Sequence, residues 1–351
     1  MNFSLSLELE TLKIQTRNFI NSVAIPHGNN IPDNIEKFDE LRRELQQKAR
    51  EADIYLPQLG ASYGGLGLNW RSCAIIFEEA GRSLLGPIAL NCASHDESNM
   101  YFLHEIGTRQ QKEQYLQPLA NGDIHSAYAK TTIAPGASSD MSMPQTYAKK
   151  RDNMWVINGQ EWFATAVGGA SLFIIVAKTN NDENAPVWSE ATIFLVDGDN
   201  PGIQIMDKIE AMNCLFPMGH YRVHLDDCQV TEDAVLGEAH KGLEHLTKLQ
   251  NPTKLTRCMR WLGASQRTLE YAWWCISNSE LCTEKLSEYQ LNCFIADSEV
   301  KIHAARLMIW YAAWLLDNGE LNHHVTRMAD ASTSQLMNEV MVKFERLSKG
   351  I

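Results

Sequence analysis

The sequence predicts an α+β fold in three segments. These are an N-terminal helical domain over residues 1–123, a central antiparallel β domain over 124–235, and a C-terminal helical bundle over 236–351. Three observations predict it. Apolar residues recur at helical spacing through the first and last segments. Between them lie short β-branched and aromatic runs separated by turn signals, with no helical pattern intervening. No internal repeat or low-complexity stretch breaks this order.

In the first segment, residues 35–52 are charged and periodic, with Phe38, Leu41, Leu45 and Ala49 near one stripe. Residues 70–83 repeat the pattern through Cys73, Ile76, Phe77 and Ala80. The stretch between, containing Tyr63-Gly64-Gly65-Leu66-Gly67, reads as a loop. A further helix begins near Thr108 and has stopped by Gly122-Asp123. In the middle segment, residues 155–158, 172–177, 192–196 and 221–225 read as strands. Asn158-Gly159, Asn180-Asn181-Asp182 and the stretch from Asp197 to Gly202 read as turns, and the spacing suggests an antiparallel sheet or small barrel. In the last segment, Val300, Ala304, Leu307, Tyr311 and Leu315 form a helical stripe, and the helices look long, which favours bundle packing.

Composition narrows the function classes. The 351 residues carry 31 Lys plus Arg against 43 Asp plus Glu, a net charge of −12, so the basic footprint of a nucleic-acid binder is lacking. The 8 cysteines form no C-x-x-C pair and are too sparse for a disulfide scaffold, so neither a zinc site nor a redox motif is expected. The N-terminus carries Glu where a signal peptide needs an apolar core, and the apolar stretch 304–316 is too short to span a bilayer. The expected location is cytoplasmic, or exported without a cleavable signal peptide. Gly64-Gly65-Leu66-Gly67 lacks the Lys-Ser/Thr ending of a phosphate loop, and no Gly-x-Ser-x-Gly elbow occurs. His220 and His224 share one side of a predicted strand, which reads as a solvated face rather than a metal site.

Several strings resemble the acyl-CoA dehydrogenase family, and the resemblance covers nearly the whole chain. They include Phe77-Glu78-Glu79-Ala80-Gly81-Arg82-Ser83 and Tyr115-Leu116-Gln117-Pro118-Leu119-Ala120-Asn121-Gly122. The most specific is Val156-Ile157-Asn158-Gly159-Gln160-Glu161-Trp162-Phe163-Ala164-Thr165, which resembles the family's strand-turn-strand against the flavin. Asp226-Asp227-Cys228-Gln229-Val230 and Cys258-Met259-Arg260-Trp261-Leu262-Gly263-Ala264 extend it. The resemblance implies FAD as cofactor and oxidation of acyl-CoA thioesters to the 2,3-enoyl form. A carboxylate removes the α-proton while hydride leaves the β-carbon for flavin N5.

Residue by residue, the resemblance places Thr131 or Thr132 at a flavin-binding hydroxyl, in a Thr-Glu-Pro signature broken by Ile133 and Ala134. Two Thr of a surface loop are the alternative. Phe163 takes the aromatic flavin-flanking position and Thr165 the hydroxyl position near N5, although both are also ordinary strand formers. Ser139, followed by Asp140, falls where the family meets acyl-CoA. Lys254 stands where the family usually has Arg, keeping the charge but losing the bidentate fork; a surface Lys is the alternative.

Other matches are lost. Ser279, Cys282 and Thr283 replace the segment whose Arg reaches a neighbouring subunit's FAD pyrophosphate. Thr253 stands where some members carry the base, and the sequence ends at Ile351, before the segments that carry further FAD contacts and the usual catalytic Glu. The expectation is a degenerate member with no catalytic residue of its own and no metal. It would act as a binding or interaction module or partner subunit that takes acyl-CoA or a related ligand. It would form a homo-oligomer or pair with a full-length family member. The alternatives are an active FAD-dependent acyl-CoA dehydrogenase with a relocated base, and a purely structural homo-oligomer.

Overall fold

The computed structural model describes residues 4–130, 146–179, 191–210, 217–277 and 288–349. The chain divides into two compact units: Met1–Asn29, Leu45–Cys92 and Asn251–Ile351 form one, and Asn30–Glu44 with Ala93–Gln250 form the other.

The first unit is helical. α1 (Leu7–Phe19) starts where the Ser6 side chain accepts from the Leu9 amide at 3.3 Å, and it continues through a π-helical turn into α2 (Ile25–His27). α3 (Ile35–Glu51) crosses from one unit to the other; in this unit it buries Leu45 and Ala49, as the periodicity predicts. α4 (Trp70–Ala80) is capped by Asn69 and buries Cys73, Ile76, Phe77 and Ala80, the predicted stripe. After α5 (Gly86–Ala89), the unit's remaining helices are α9 (Gly242–Ser277, from Asn251 on), α10 (Glu288–Asp317) and α11 (His323–Lys349).

α9 runs so close to α4 that a Cβ on Gly263 would sit 1.9 Å from the Glu78 carbonyl oxygen. Charge-assisted pairs flank that contact. Arg17 and Arg82 reach the almost fully buried Glu79 at 2.7 and 3.6 Å, Arg82 also grips Glu270 at 2.6 Å, and Arg306 holds Glu78 at 2.7 Å. α10 buries Ile302, Ala305, Ile309, Ala312, Ala313 and Leu315. Of the sequence stripe only Leu315 lies in that face, and Val300 and Tyr311 are exposed. α10 therefore has two apolar stripes, and the one most visible in the sequence is largely the outer one.

The second unit combines α6 (Ser94–Ile106), α7 (Arg109–Gln111) and α8 (Gln117–Asn121) with seven strands among the described residues. The strands are β1 (Ser126–Ala129), β2 (Tyr147–Arg151), β3 (Met154–Thr165), β4 (Leu172–Lys178), β5 (Ala191–Asp197), β6 (Ile203–Ile209) and β7 (His220–Thr231). Thr108 opens α7 with a capping box to Gln111, and Gly122 ends α8 in the left-handed conformation. The sheet order is β1-β4-β2-β3-β7-β6, with β5 on β4 and a further β1–β3 pairing that turns the strands back on themselves. Most pairs are antiparallel, but β4 runs parallel to both β1 and β2, which strand periodicity cannot reveal. Trp155, Ile157, Phe173, Ile175, Phe194, Val196, Val223 and Leu225 fill the core.

β1, β2 and β6 are additional to the strands read from sequence. Asn158-Gly159 is not a hairpin turn: β3 runs through it. A Cβ on Gly159 would lie 2.6 Å from the Thr146 Cα, so glycine is needed there for a close backbone approach. Asn158 uses its amide to accept from the Asp227 N–H at 2.9 Å, across a bulge of β7.

Candidate functional site

The far end of β3 departs from regular pairing with β7. Glu161 pairs with Val223 and Ala164 with Tyr221, so Trp162 and Phe163 together oppose the single residue Arg222. β6 does the same on the other side of β7, with Ile205 on Val223 and Lys208 on Tyr221. Such bulges bend a strand and re-aim a side chain.

Phe163 adopts φ of 61°, a left-handed conformation costly for an aromatic residue, and the residue is 39% exposed. The ring meets Trp162 and His220 edge-on, at 5.9 and 6.0 Å between centroids. Trp162 is covered in turn by the Arg222 guanidinium 5.1 Å from its centroid, and Arg222 is held by Asp207 at 2.7 Å.

Two residues on, Thr165 pairs across the strands with His220 on β7 and with Tyr128 on β1. Its hydroxyl lies 3.2 Å from His220 Nδ1 and 3.4 Å from the Phe163 carbonyl oxygen. Burial pushes the His220 pKa below the usual imidazole value. An outward aromatic ring, a hydroxyl and an imidazole thus occupy one sheet end, and this set fits the edge and face of a planar heteroaromatic ring such as a flavin.

Phe163 and Thr165 are therefore brought together. Thr131, Thr132 and Ser139 lie outside the described residues, as do Ser279, Cys282 and Thr283. Lys254 lies in the helical unit, half-buried on α9, and has no salt-bridge partner among the described residues. From the sequence His220 reads as part of a solvated strand face, not as a site residue. Its place beside Thr165 depends on the bulge, which no spacing rule marks. Among the described residues no cluster of His, Cys, Asp and Glu could hold a metal. No helix among them is long and apolar enough to cross a membrane.

A polar cavity of about 740 Å³ lies elsewhere in the same unit, lined by Gln111, Tyr115, Asp197, Asn200 and Asp233 among others. Its polar groups serve one another: Gln111 donates to the Asp233 and Val235 carbonyls at 2.8 and 2.9 Å, and Tyr115 donates to Asp197 at 2.9 Å. That satisfied lining makes the Phe163 end the stronger candidate site.

Comparison with known proteins gives a consistent result. Family models described as the N-terminal, middle and C-terminal domains of acyl-CoA dehydrogenase match residues 6–123, 129–228 and 240–344. A Mycobacterium tuberculosis protein named "Probable acyl-CoA dehydrogenase FadE2" is 32% identical over 289 residues, covering 80% of this chain and 70% of the relative. "Acyl-CoA dehydrogenase family member 11" of Gallus gallus is 29% identical over 87% of this chain, which spans only 38% of that longer protein. The structure of butyryl-CoA dehydrogenase from Megasphaera elsdenii superposes with a TM-score of 0.82 at 22% identity, covering 99% of this chain and 89% of that one, and it shows the shared fold.

Proposed function

The chain belongs to the acyl-CoA dehydrogenase family, and on that premise we propose that it holds FAD and an acyl-CoA-type thioester without itself abstracting the α-proton. It then acts as a binding or interaction module, or as the partner subunit of a longer family member. One observation carries this reading. α9 offers Thr253, not a carboxylate, at the position where some family members carry the base, and the helix's two carboxylates are already engaged. Glu244 is paired with Lys248 at 2.6 Å and Glu270 with Arg82 at 2.6 Å. Proton abstraction next to a thioester needs a positioned base, and binding alone does not replace it.

Bound FAD supplies the two-electron acceptor of the family's chemistry. The protein's own contribution follows from the bulge: Phe163 offers a ring face that excludes water, and Thr165 offers a hydroxyl beside it. On the helical unit, Lys254 supplies a cation for an anionic ligand group, as a point charge rather than a fork. Assembly is part of the proposal. Trp273, Trp274, Val300 and Tyr311 expose apolar side chains on α9 and α10, which a second chain could cover. Size-exclusion chromatography with light scattering is expected to give a mass above that of one chain; a monomer at micromolar concentration would remove the assembly part.

The visible spectrum of the purified protein tests the whole. The expected result is a bound oxidised-flavin band that anaerobic addition of acyl-CoA leaves unbleached, with a rise in melting temperature on adding the thioester. Bleaching would overturn the module reading and establish the second one, an active dehydrogenase with its base elsewhere. The relatives named as dehydrogenases favour that second reading. A protein that neither carries nor takes up FAD, and is not stabilised by acyl-CoA, would leave the purely structural oligomer.

A further inference from the structure

The Thr165 hydroxyl has one proton and two neighbouring groups that could take it, and His220 decides between them. The two residues are direct cross-strand partners, with Oγ1 and Nδ1 3.2 Å apart. A neutral imidazole can accept at Nδ1, which draws the Thr165 proton inward and leaves only lone pairs facing outward. An imidazolium is a donor at both nitrogens. Nδ1–H then occupies a Thr165 lone pair, and the hydroxyl proton turns outward. The other nearby acceptor, the Phe163 carbonyl, is 3.4 Å away and competes weakly.

We propose that His220 is a positioning residue that sets the direction of the Thr165 hydroxyl, and that it thereby makes the affinity for a flavin pH-dependent. This rests on the flavin reading given above. A ring acceptor such as a flavin nitrogen or carbonyl is met by the outward proton when His220 is charged and by lone pairs when it is neutral. Binding of oxidised FAD therefore tightens as the pH falls.

Among the described residues, the surroundings leave His220 as the titrating group. On β6 the neighbouring charges are Asp207 and Lys208, with Glu210 just beyond the strand; on β7 they are Arg222 and, further along, His224. Asp207 and Arg222 neutralise each other. β3 presents no charge between Trp162 and Thr165, and the next one, Glu161, is buried against Thr146 at 2.5 Å. β1 brings only Tyr128.

The test is FAD affinity by quenching of flavin fluorescence between pH 4.5 and 8 for the full chain, His220→Gln and Thr165→Val. For the unaltered chain the expected gain towards acid pH is about fivefold, the size of one neutral hydrogen bond. His220→Gln keeps a polar partner that does not titrate, so it should still bind FAD with the ratio between the pH extremes within twofold. Thr165→Val should flatten the profile in the same way. A flat profile in the unaltered chain, or one that survives His220→Gln, overturns the proposal alone. No FAD uptake at any pH overturns both it and the flavin reading.

Discussion

β3 carries an aromatic side chain near each end, and the two have opposite fates. Trp155 stands in regular register, opposite Lys150 on β2 and Val230 on β7, and is buried. Its ring meets Phe194 at 5.6 Å and His240 at 6.0 Å, both edge-on. Phe163, eight positions further, stands in a bulge and turns its ring towards solvent. Sequence chemistry does not separate them, since both are aromatic residues in a β-rich run. Register does: regular pairing sends an aromatic into the core, and one extra residue presents it for binding.

The largest expected effect breaks the buried side of this comparison. Trp155→Ala removes a core aromatic and should cost about 3–5 kcal/mol in chemical denaturation. A loss below about 1 kcal/mol would mean that the ring is not part of the core and that the contrast between the ends is false.

The same contrast marks what could be read from the sequence. α3 and α4 were legible because one face of each is apolar at helical spacing and that face is the buried one. α10 was legible as a helix but not in orientation, because two apolar stripes compete and the more regular one faces out. Phe163 and Thr165 were reached through their resemblance to a family motif. His220 was not, because its partner is set by a bulge, and a single sequence does not announce where a strand gains a residue. Asn158-Gly159 misled for a related reason: a dipeptide favoured in tight turns is equally suited to a strand where another backbone passes close.

A smaller effect extends the comparison to polar groups. At the start of β1, Asp96 accepts from the Ser126 amide at 2.8 Å and from its hydroxyl at 2.6 Å, with His95 at 3.4 Å. Burial works to raise the Asp96 pKa, but His95, then His125 and the Ser126 hydroxyl, outweigh it and hold the carboxyl at about 2 against an ordinary 3.8. A depressed carboxyl pKa contributes stability above the unfolded value, and that stability is lost as the pH falls through the folded one. The contribution is on the order of 2 kcal/mol and should vanish between about pH 4 and pH 2. The His125 pKa is lowered by burial, and its Nε2–H donates to the Gly168 carbonyl oxygen at 2.9 Å. Its charging cost therefore begins earlier, as the pH drops below the ordinary imidazole value. Denaturation midpoints of the unaltered chain and Asp96→Asn should converge as the pH falls from 4 to 2. A constant gap across that range would show that Asp96 does not titrate as described.

The smallest expected change in stability comes from the presented end. Phe163→Gly relieves a left-handed conformation that costs a non-glycine residue about 1–2 kcal/mol. It gives back about 0.5–1 kcal/mol through the greater freedom of glycine in the unfolded chain. It also removes a ring whose packing is only edge contacts to Trp162 and His220. The terms nearly cancel, so the denaturation midpoint should move by less than about 1 kcal/mol in either direction. FAD affinity should instead fall at least tenfold, because the ring is held in a strained conformation that the fold itself gains little from. A variant that loses stability as Trp155→Ala does, while binding FAD unchanged, would make Phe163 a core residue and the bulge a packing device. A variant that folds as well and binds worse makes the bulge the device that turns an ordinary strand aromatic into a ligand surface.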